Sequence, residues 1–215
     1  MMTRASSRAV GIAAALTLLT AGVAAGQQAL QPTKAATERG VEIRIANPDS
    51  KRFVLALDEI VLEWTGGEEQ GREAAANALA LQGAVVAKFE SGRVSLVLSR
   101  VRTSDDLRSA IGDHEAANPG AEGYAVLYES GRARSPQTRR LLTREVAILL
   151  KDGAELSAAL SACGVGAAIP LDGVPGAVKV IAGSPLDAPA LAESCQRTPG
   201  VLAAYPLLRR QASTR

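Results

Sequence analysis

One pattern of breaks constrains this chain more than anything else in it, because the pattern occurs twice. A glycine that stops a helix (Gly83, Gly164), a Pro-Gly that stops a second helix (Pro119-Gly120, Pro199-Gly200) and a tyrosine in the strand that follows (Tyr124, Tyr205) recur about 80 residues apart. The segments between the breaks also repeat their type. In the first copy, VEIRIA from Val41 alternates as a strand does, and FVLALDEIVLEW from Phe53 to Trp64 is either one long strand or a hairpin bent at Asp58-Glu59. Residues 68–81 have helical composition, and 84–89 and 94–101 read as strands joined through Glu90-Ser91-Gly92-Arg93. Thr103-Ser104-Asp105-Asp106 opens a helix to Ala117, with both acids placed against the helix dipole, and 123–129 closes the copy as a strand. The second copy runs in the same order: strand 145–150, helix 154–163, strands 167–171 and 177–181, a helix within 184–198 entered through Ser184-Pro185, and strand 201–208.

Strand, helix, strand, strand, helix, strand is the split βαβ order. The expected fold class is therefore α+β: two tandem ferredoxin-like βαββαβ units, 41–130 and 144–209, each an antiparallel sheet with two helices on one face. Residues 131–143, GRARSPQTRRLLT, are polar and basic and read as the linker, and 210–215 as a C-terminal tail. An aromatic share of only 3% suits such thin layers of Ala, Val, Leu and Ile better than a large aromatic pocket. The strands are apolar on both sides, Val146, Ile148 and Leu150 alternating with Ala147 and Leu149. Either the helix-free face of a sheet is an interaction surface, or the two sheets pack on each other inside the chain.

Arg4 and Arg8, an apolar run from Ala9 to Ala25 and small residues ahead of Gln27 give residues 1–26 the form of a signal peptide, followed by a leader at 27–40. A retained single membrane anchor is the other reading of that run. Signal cleavage implies a secreted or periplasmic protein with no membrane attachment afterwards. In that oxidising setting Cys163 and Cys195, near the ends of the two helices of the second unit, have the opportunity to form a disulfide. It would close a loop of roughly 30 residues and stabilise by about 3 kcal/mol in the chain-entropy model; two free buried thiols are the alternative.

Catalytic patterns are missing from the sequence. His114, the one histidine, lies in GDHEAAN and reads as a surface residue, since one histidine makes neither a Ser/His pair nor a metal cluster. No G-x-S-x-G, P-loop or G-x-G-x-x-G is found, so the expectation is a non-enzymatic chain without cofactor or metal. A formal net charge of +2, with 24 basic and 22 acidic residues, makes nucleic acid an unexpected partner.

RRLLTREVAILLKDG, a short helix, GVPGAVKV, and a helix ending in RTPGVLAAYPLL together resemble the N-terminal prodomain of secreted subtilisin-type serine proteases. The matching parts fall on 146–153, on the hairpin around 173–176 and on 191–206, the C-terminal third of the chain. The resemblance implies a binder of a subtilisin-type protease, acting as inhibitor, folding chaperone or both, with a sheet face against the protease and an extended tail in its substrate cleft. Carried over by position, Asp172 in the hairpin would face protease helix N-termini. The tail, Leu207 to Arg215, would lie in the cleft, with Tyr205, Pro206, Leu207 and Leu208 approaching it and Arg209 and Arg210 also binding the protease. No catalytic domain follows in this sequence, so the protease would act in trans or be encoded downstream. The competing expectation is an extracytoplasmic tandem ferredoxin-like module that binds a small ligand or an envelope component.

Overall fold

Nine runs rich in Val, Leu and Ile take extended backbone and four alanine-rich runs coil, within the residues that the computed structural model describes: 40–43, 45, 51–64, 66, 68–80, 84–90 and 92–210. In chain order they are β1 (Gly40–Ile43), β2 (Phe53–Trp64), α1 (Glu68–Ala80), β3 (Ala84–Glu90), β4 (Arg93–Leu98), α2 (Ser104–Ala117) and β5 (Ala121–Glu129), then β6 (Arg139–Leu150), α3 (Leu156–Ala162), β7 (Ile169–Pro170), β8 (Ala177–Ile181), α4 (Ala188–Gln196) and β9 (Val201–Arg210). The expected signal peptide, the leader up to residue 39, the helix stop at Gly83 and the tail at 211–215 lie outside the described residues.

The protein is α+β, and every strand pairing in it is antiparallel. All nine strands belong to one sheet: its path is β3-β4-β2-β5-β6-β8-β7, with β1 added to β2 and β9 added to β6. Two expectations are corrected here. There are not two sheets, and 131–143 is not simply a linker, because residues 139–143 begin a twelve-residue strand. Leu142, Leu141, Arg140 and Arg139 pair with Ala125, Val126, Leu127 and Tyr128 at the edge of β5. The basic residues that made the segment look solvated are neutralised in place: Arg139 pairs with Glu59, and Arg140 with Glu129 at 2.6 Å. A buried arginine with a carboxylate partner looks identical in sequence to a solvated one.

All four helices cover one face. Along β2, Ile60, Leu62 and Trp64 point to that face and join Ala74 and Ala78 of α1 and Leu107 and Ile111 of α2 in a core. Val146, Ile148, Val178, Val180 and Ala204 form a second core with Ala159 and Leu160 of α3 and Ala188 and Ala192 of α4. Ala204 and Leu208 lie on the same side of β9, yet Ala204 packs in the second core and Leu208 against the first. The helix layer is thus continuous across the junction, and Arg108 of α2 reaches Asp187, before α4, at 3.1 Å.

Helix limits follow local chemistry. Thr103 caps α2 with a full capping box, its hydroxyl accepting from the Asp106 amide while the Asp106 carboxylate accepts from the Thr103 amide. The turn 184–187, closed by the Ser184 hydroxyl donating to Asp187 at 2.8 Å, replaces the first turn expected of the last helix. The repeated Pro-Gly works as read: Gly120 and Gly200 both have positive φ, +85° and +87°, a conformation an L side chain resists.

Candidate binding surface

The helix-free face divides into a closed zone and an open one. Two β-bulges mark the boundaries. Pairing of β2 with β5 shifts register between Leu55 and Ile60, so neighbouring Asp58 and Glu59 both serve partners reached from the helix-free side. Pairing of β6 with β9 shifts between Leu142 and Val146, and the bulge is tied by buried Thr143, whose hydroxyl donates to the Leu207 carbonyl and accepts from the Glu145 amide, both at 3.0 Å.

In the closed zone Ala56, Val61, Tyr124, Val126, Tyr128 and Leu141 form a small buried cluster. Charged side chains lie among them in two linked groups. Tyr128 donates to Glu59 at 2.6 Å, Arg139 pairs with Glu59 and donates to Ser95, and Arg134 stacks over the Tyr128 ring at 5.0 Å while pairing with Asp58 at 2.9 Å. Tyr124 bonds to Glu63 at 2.9 Å and Glu122 at 2.7 Å, and Arg209 joins Glu63 at 3.0 Å while lying over the Tyr124 ring at 5.3 Å. Burial pushes both phenols far above the ordinary tyrosine range, helped at Tyr124 by hydrogen bonds to Glu122 and Glu63 and at Tyr128 by the charge of Glu59 and the hydrogen bond to it. Such phenols are poor bases and poor nucleophiles. With each guanidinium on a carboxylate, the network fastens β2, β5, β6 and β9 together.

A third group holds the end of β5. Burial alone would raise the Glu129 carboxyl, but hydrogen bonds from Lys51 and Arg132, with the charges of Lys51 and Arg140, hold it below the usual range.

The open zone lies on the C-terminal half. Glu145, Ala147 and Leu149 of β6 stand opposite Ile181, Lys179 and Ala177 of β8, with Tyr205 beside Ala147 and Ala203 beside Leu149 on β9. Lys179 donates to Glu145 at 2.7 Å across this face. Ile181 and, on β7, Ile169 are each 53% exposed, and Leu149, Ala203 and Tyr205 are half-buried. The result is a shallow apolar patch crossed by one ion pair, suited to holding another surface.

The residues singled out by sequence are spread over this half. Asp172 is exposed in the turn between β7 and β8. Tyr205 faces Ala147, and buried Pro206 faces Val146. Leu207, Leu208, Arg209 and Arg210 are not a free tail: they continue β9, with Leu208, Arg209 and Arg210 opposite Leu142, Leu141 and Arg140. The turn bearing Asp172 lies at the end of the sheet where Ala177 faces Leu149 and Leu149 faces Ala203, some seven residues of strand, roughly 23 Å, from Arg210. The structure therefore does not bring Asp172 and the arginines together.

Two more expectations change. Cys163 and Cys195 are both buried, free thiols 2.6 Å apart and not a disulfide. Burial, and then the Cys163 thiol, push Cys195 up to about 12, and Cys163 also donates to Thr198 at 3.5 Å. His114 is not at the surface but 3% exposed, on the core side of α2 with Leu107 and Ile111, and burial lowers its pKa. The closed-zone network escaped sequence reasoning although it left a trace, carboxylates at 59 and 63 facing tyrosines at 124 and 128 with the same spacing of four. Among the described residues no group of three His, Cys, Asp or Glu side chains is placed to hold a metal, and no helix is long and apolar enough to cross a membrane.

Among the described residues, fold and surface thus define an α+β protein with one antiparallel sheet, four helices on a single face, and an opposite face that is closed over β2 and β5 and open in the C-terminal half. No family model, curated protein or solved structure matches the chain.

Proposed function

We propose that this chain is a protein-binding module of the subtilisin-prodomain type, which grips a subtilisin-type serine protease with the open zone of its C-terminal half as inhibitor or folding chaperone. The observation that carries this reading is the contrast between the two halves. Among the described side chains, the helix-free face of the half that resembles a prodomain is apolar and accessible around Ile181, Leu149 and Tyr205, whereas β2 and β5 of the other half are covered there by the buried tyrosine and ion-pair network. The strand orders support it: β3-β4-β2-β5 and β7-β8-β6-β9 each place the fourth strand beside the first and the second at the far edge, the ferredoxin-like plan of two joined units. Because Leu207 to Arg210 are held by β6, the segment this reading leaves for the substrate cleft is 211–215 rather than the whole sequence from Leu207.

The test is inhibition and complex formation with a panel of subtilisin-type proteases by the intact chain, by Ile181→Glu and by a chain ending at Arg210. The expected result is inhibition by the intact chain, binding weakened at least tenfold by Ile181→Glu, and binding without inhibition by the shortened chain. Absence of any complex or assisted refolding across the panel would sink the proposal. A second reading, a small-ligand module, draws on an open groove of about 460 Å³ between Gly164–Ala167, the β8 edge at Lys179 and Ile181, and Asp187 and Leu191 before and within α4. A small molecule that raises the melting temperature of the native chain but not of Leu191→Trp would favour it.

A further inference from the structure

The two halves repeat not only their strands but their joints. In the first, Leu55 pairs with Leu127, the register shifts, and Ile60 and Val61 pair with Ala125 and Tyr124. In the second, Leu142 pairs with Leu208, the register shifts, and Val146 and Ala147 pair with Pro206 and Tyr205. Tyr205, Pro206 and Leu208 of β9 therefore stand where Tyr124, Ala125 and Leu127 stand in β5. The outer edges of these strands are closed at the same point by the same device. Glu115 accepts from the Gly123 amide at 2.7 Å, and Gln196 accepts from the Ala204 amide at 2.7 Å, each from eight residues upstream on the preceding helix.

Beyond the cap the halves differ. On β5, the stretch from Ala125 to Tyr128 receives β6. On β9, the counterpart from Pro206 to Arg209 pairs only inward, with β6, among the described residues. The same joint is built a second time at the other end of the sheet. There β1 sets Val41, Glu42 and Ile43 against Leu55, Val54 and Phe53, as β5 sets Ala125, Val126 and Leu127 against Leu142, Leu141 and Arg140. Strand addition at this position is thus a built-in feature of the unit.

We infer that the outer edge of β9, from Pro206 to Arg210, accepts a short antiparallel strand from a partner protein, and that this strand carries a carboxylate in the position facing Leu208. Backbone direction fits. The Ala204 amide points outward to Gln196 and the Leu207 carbonyl inward to Thr143, so alternation turns the amides of Leu208 and Arg210 outward. Pro206 has no amide to give, which limits the ladder to its last residues and keeps the edge from pairing indiscriminately. Charge sets the partner's chemistry. On β5 the residue beyond the ladder is Glu129, and the added strand meets it with Arg140, which faces Leu127. The counterpart of Glu129 on β9 is Arg210, exposed, so the sign is reversed and the incoming strand needs an acid where β6 has an arginine. This concerns the sheet edge, and it stands whether or not the protein held at the open face is a protease.

The probes are two capped peptides of residues 138–144, one with the native sequence and one carrying Arg140→Glu, titrated calorimetrically into the full chain. The acidic peptide is expected to bind at least tenfold more tightly than the native one. Arg210→Glu in the protein, at an exposed position, should invert that preference. N-methylation of the peptide amide at position 142, which faces the edge, should abolish binding, whereas methylation at 141 should not. Equal affinity for the two peptides, no binding of either at millimolar concentration, or indifference to N-methylation at 142 would each overturn the inference. A concentration-dependent dimer that excludes the acidic peptide would identify a second copy as the occupant and overturn it as well.

Discussion

Replacing Glu115 by alanine removes the acceptor that closes the Gly123 amide and, in the same step, strips Arg144 of its partner. Replacing Gln196 by alanine removes the corresponding cap in the second half, but no charge depends on it. The two substitutions therefore delete one device in two electrostatic settings. For Glu115 the lost bond is charge-assisted, about 1.5–3 kcal/mol, and Arg144 is left with a side chain mostly out of water. Its Nε is already buried without a hydrogen-bond partner, so the guanidinium has little to fall back on. A total of about 3 kcal/mol follows. For Gln196, an exposed neutral side chain whose bonds water can replace, the loss is about 0.5–1 kcal/mol. In a chain of this size each kcal/mol is worth about 2–4 °C, so Glu115→Ala should lower the melting temperature by about 10 °C and Gln196→Ala by about 2 °C. Urea unfolding followed by circular dichroism gives the free energies directly. Glu115→Gln, which keeps an acceptor for Gly123 but gives up the ion pair, should fall between them. Should Gln196→Ala prove as costly as Glu115→Ala, or Glu115→Gln as costly as Glu115→Ala, the assignment of the difference to charge and burial is wrong.

Three further outcomes are expected. Cys163 and Cys195 should resist a thiol-specific chromophoric reagent at pH 8 while the protein is folded and react fully in denaturant, because both are buried and the Cys195 thiolate is disfavoured; rapid native labelling would contradict this. Burial lowers the His114 pKa, so below about 6.5 the unfolded chain takes up a proton that the folded chain refuses. Stability should therefore fall between pH 7 and 5 in urea titrations, and His114→Leu should flatten that dependence; an unchanged slope would refute it. For Tyr124 the neutral phenol is the favoured form, so stability should be lost as pH rises through about 10, with no phenolate absorbance from Tyr124 or Tyr128 before unfolding. Tyr124→Phe, which leaves Glu63 and Glu122 without their shared donor, should cost about 2 kcal/mol in urea unfolding.

Much of the local structure was legible because it is written in local chemistry. Apolar alternation placed β2 and β8, the Thr103 capping signal placed α2, and Pro-Gly at 119–120 and 199–200 ended both second helices, since each depends on neighbours in sequence. The joint between the halves was not legible. RRLLT carries two arginines whose solvation is replaced by Glu59 and Glu129, some 80 and 11 residues away, and no local pattern distinguishes a paired arginine from a solvated one. The same reason hid the ladder partner of Leu207 to Arg210: a run of two leucines and two arginines reads as a loose end unless the edge of β6 is known. His114 misled in the other direction, its polarity suggesting solvent while its place on α2, three residues after Ile111, turned it into the core.

β6 belongs to both halves at once, its first residues paired to β5 and its last to β8, with β9 along the other side. Cutting the chain in the turn between β5 and β6 therefore separates no two folded bodies. It produces a pair of fragments whose complementary edges are each other's missing strands, so that residues 40–132 and 133–210, expressed apart, are natural candidates for reassembly into one particle by fragment complementation.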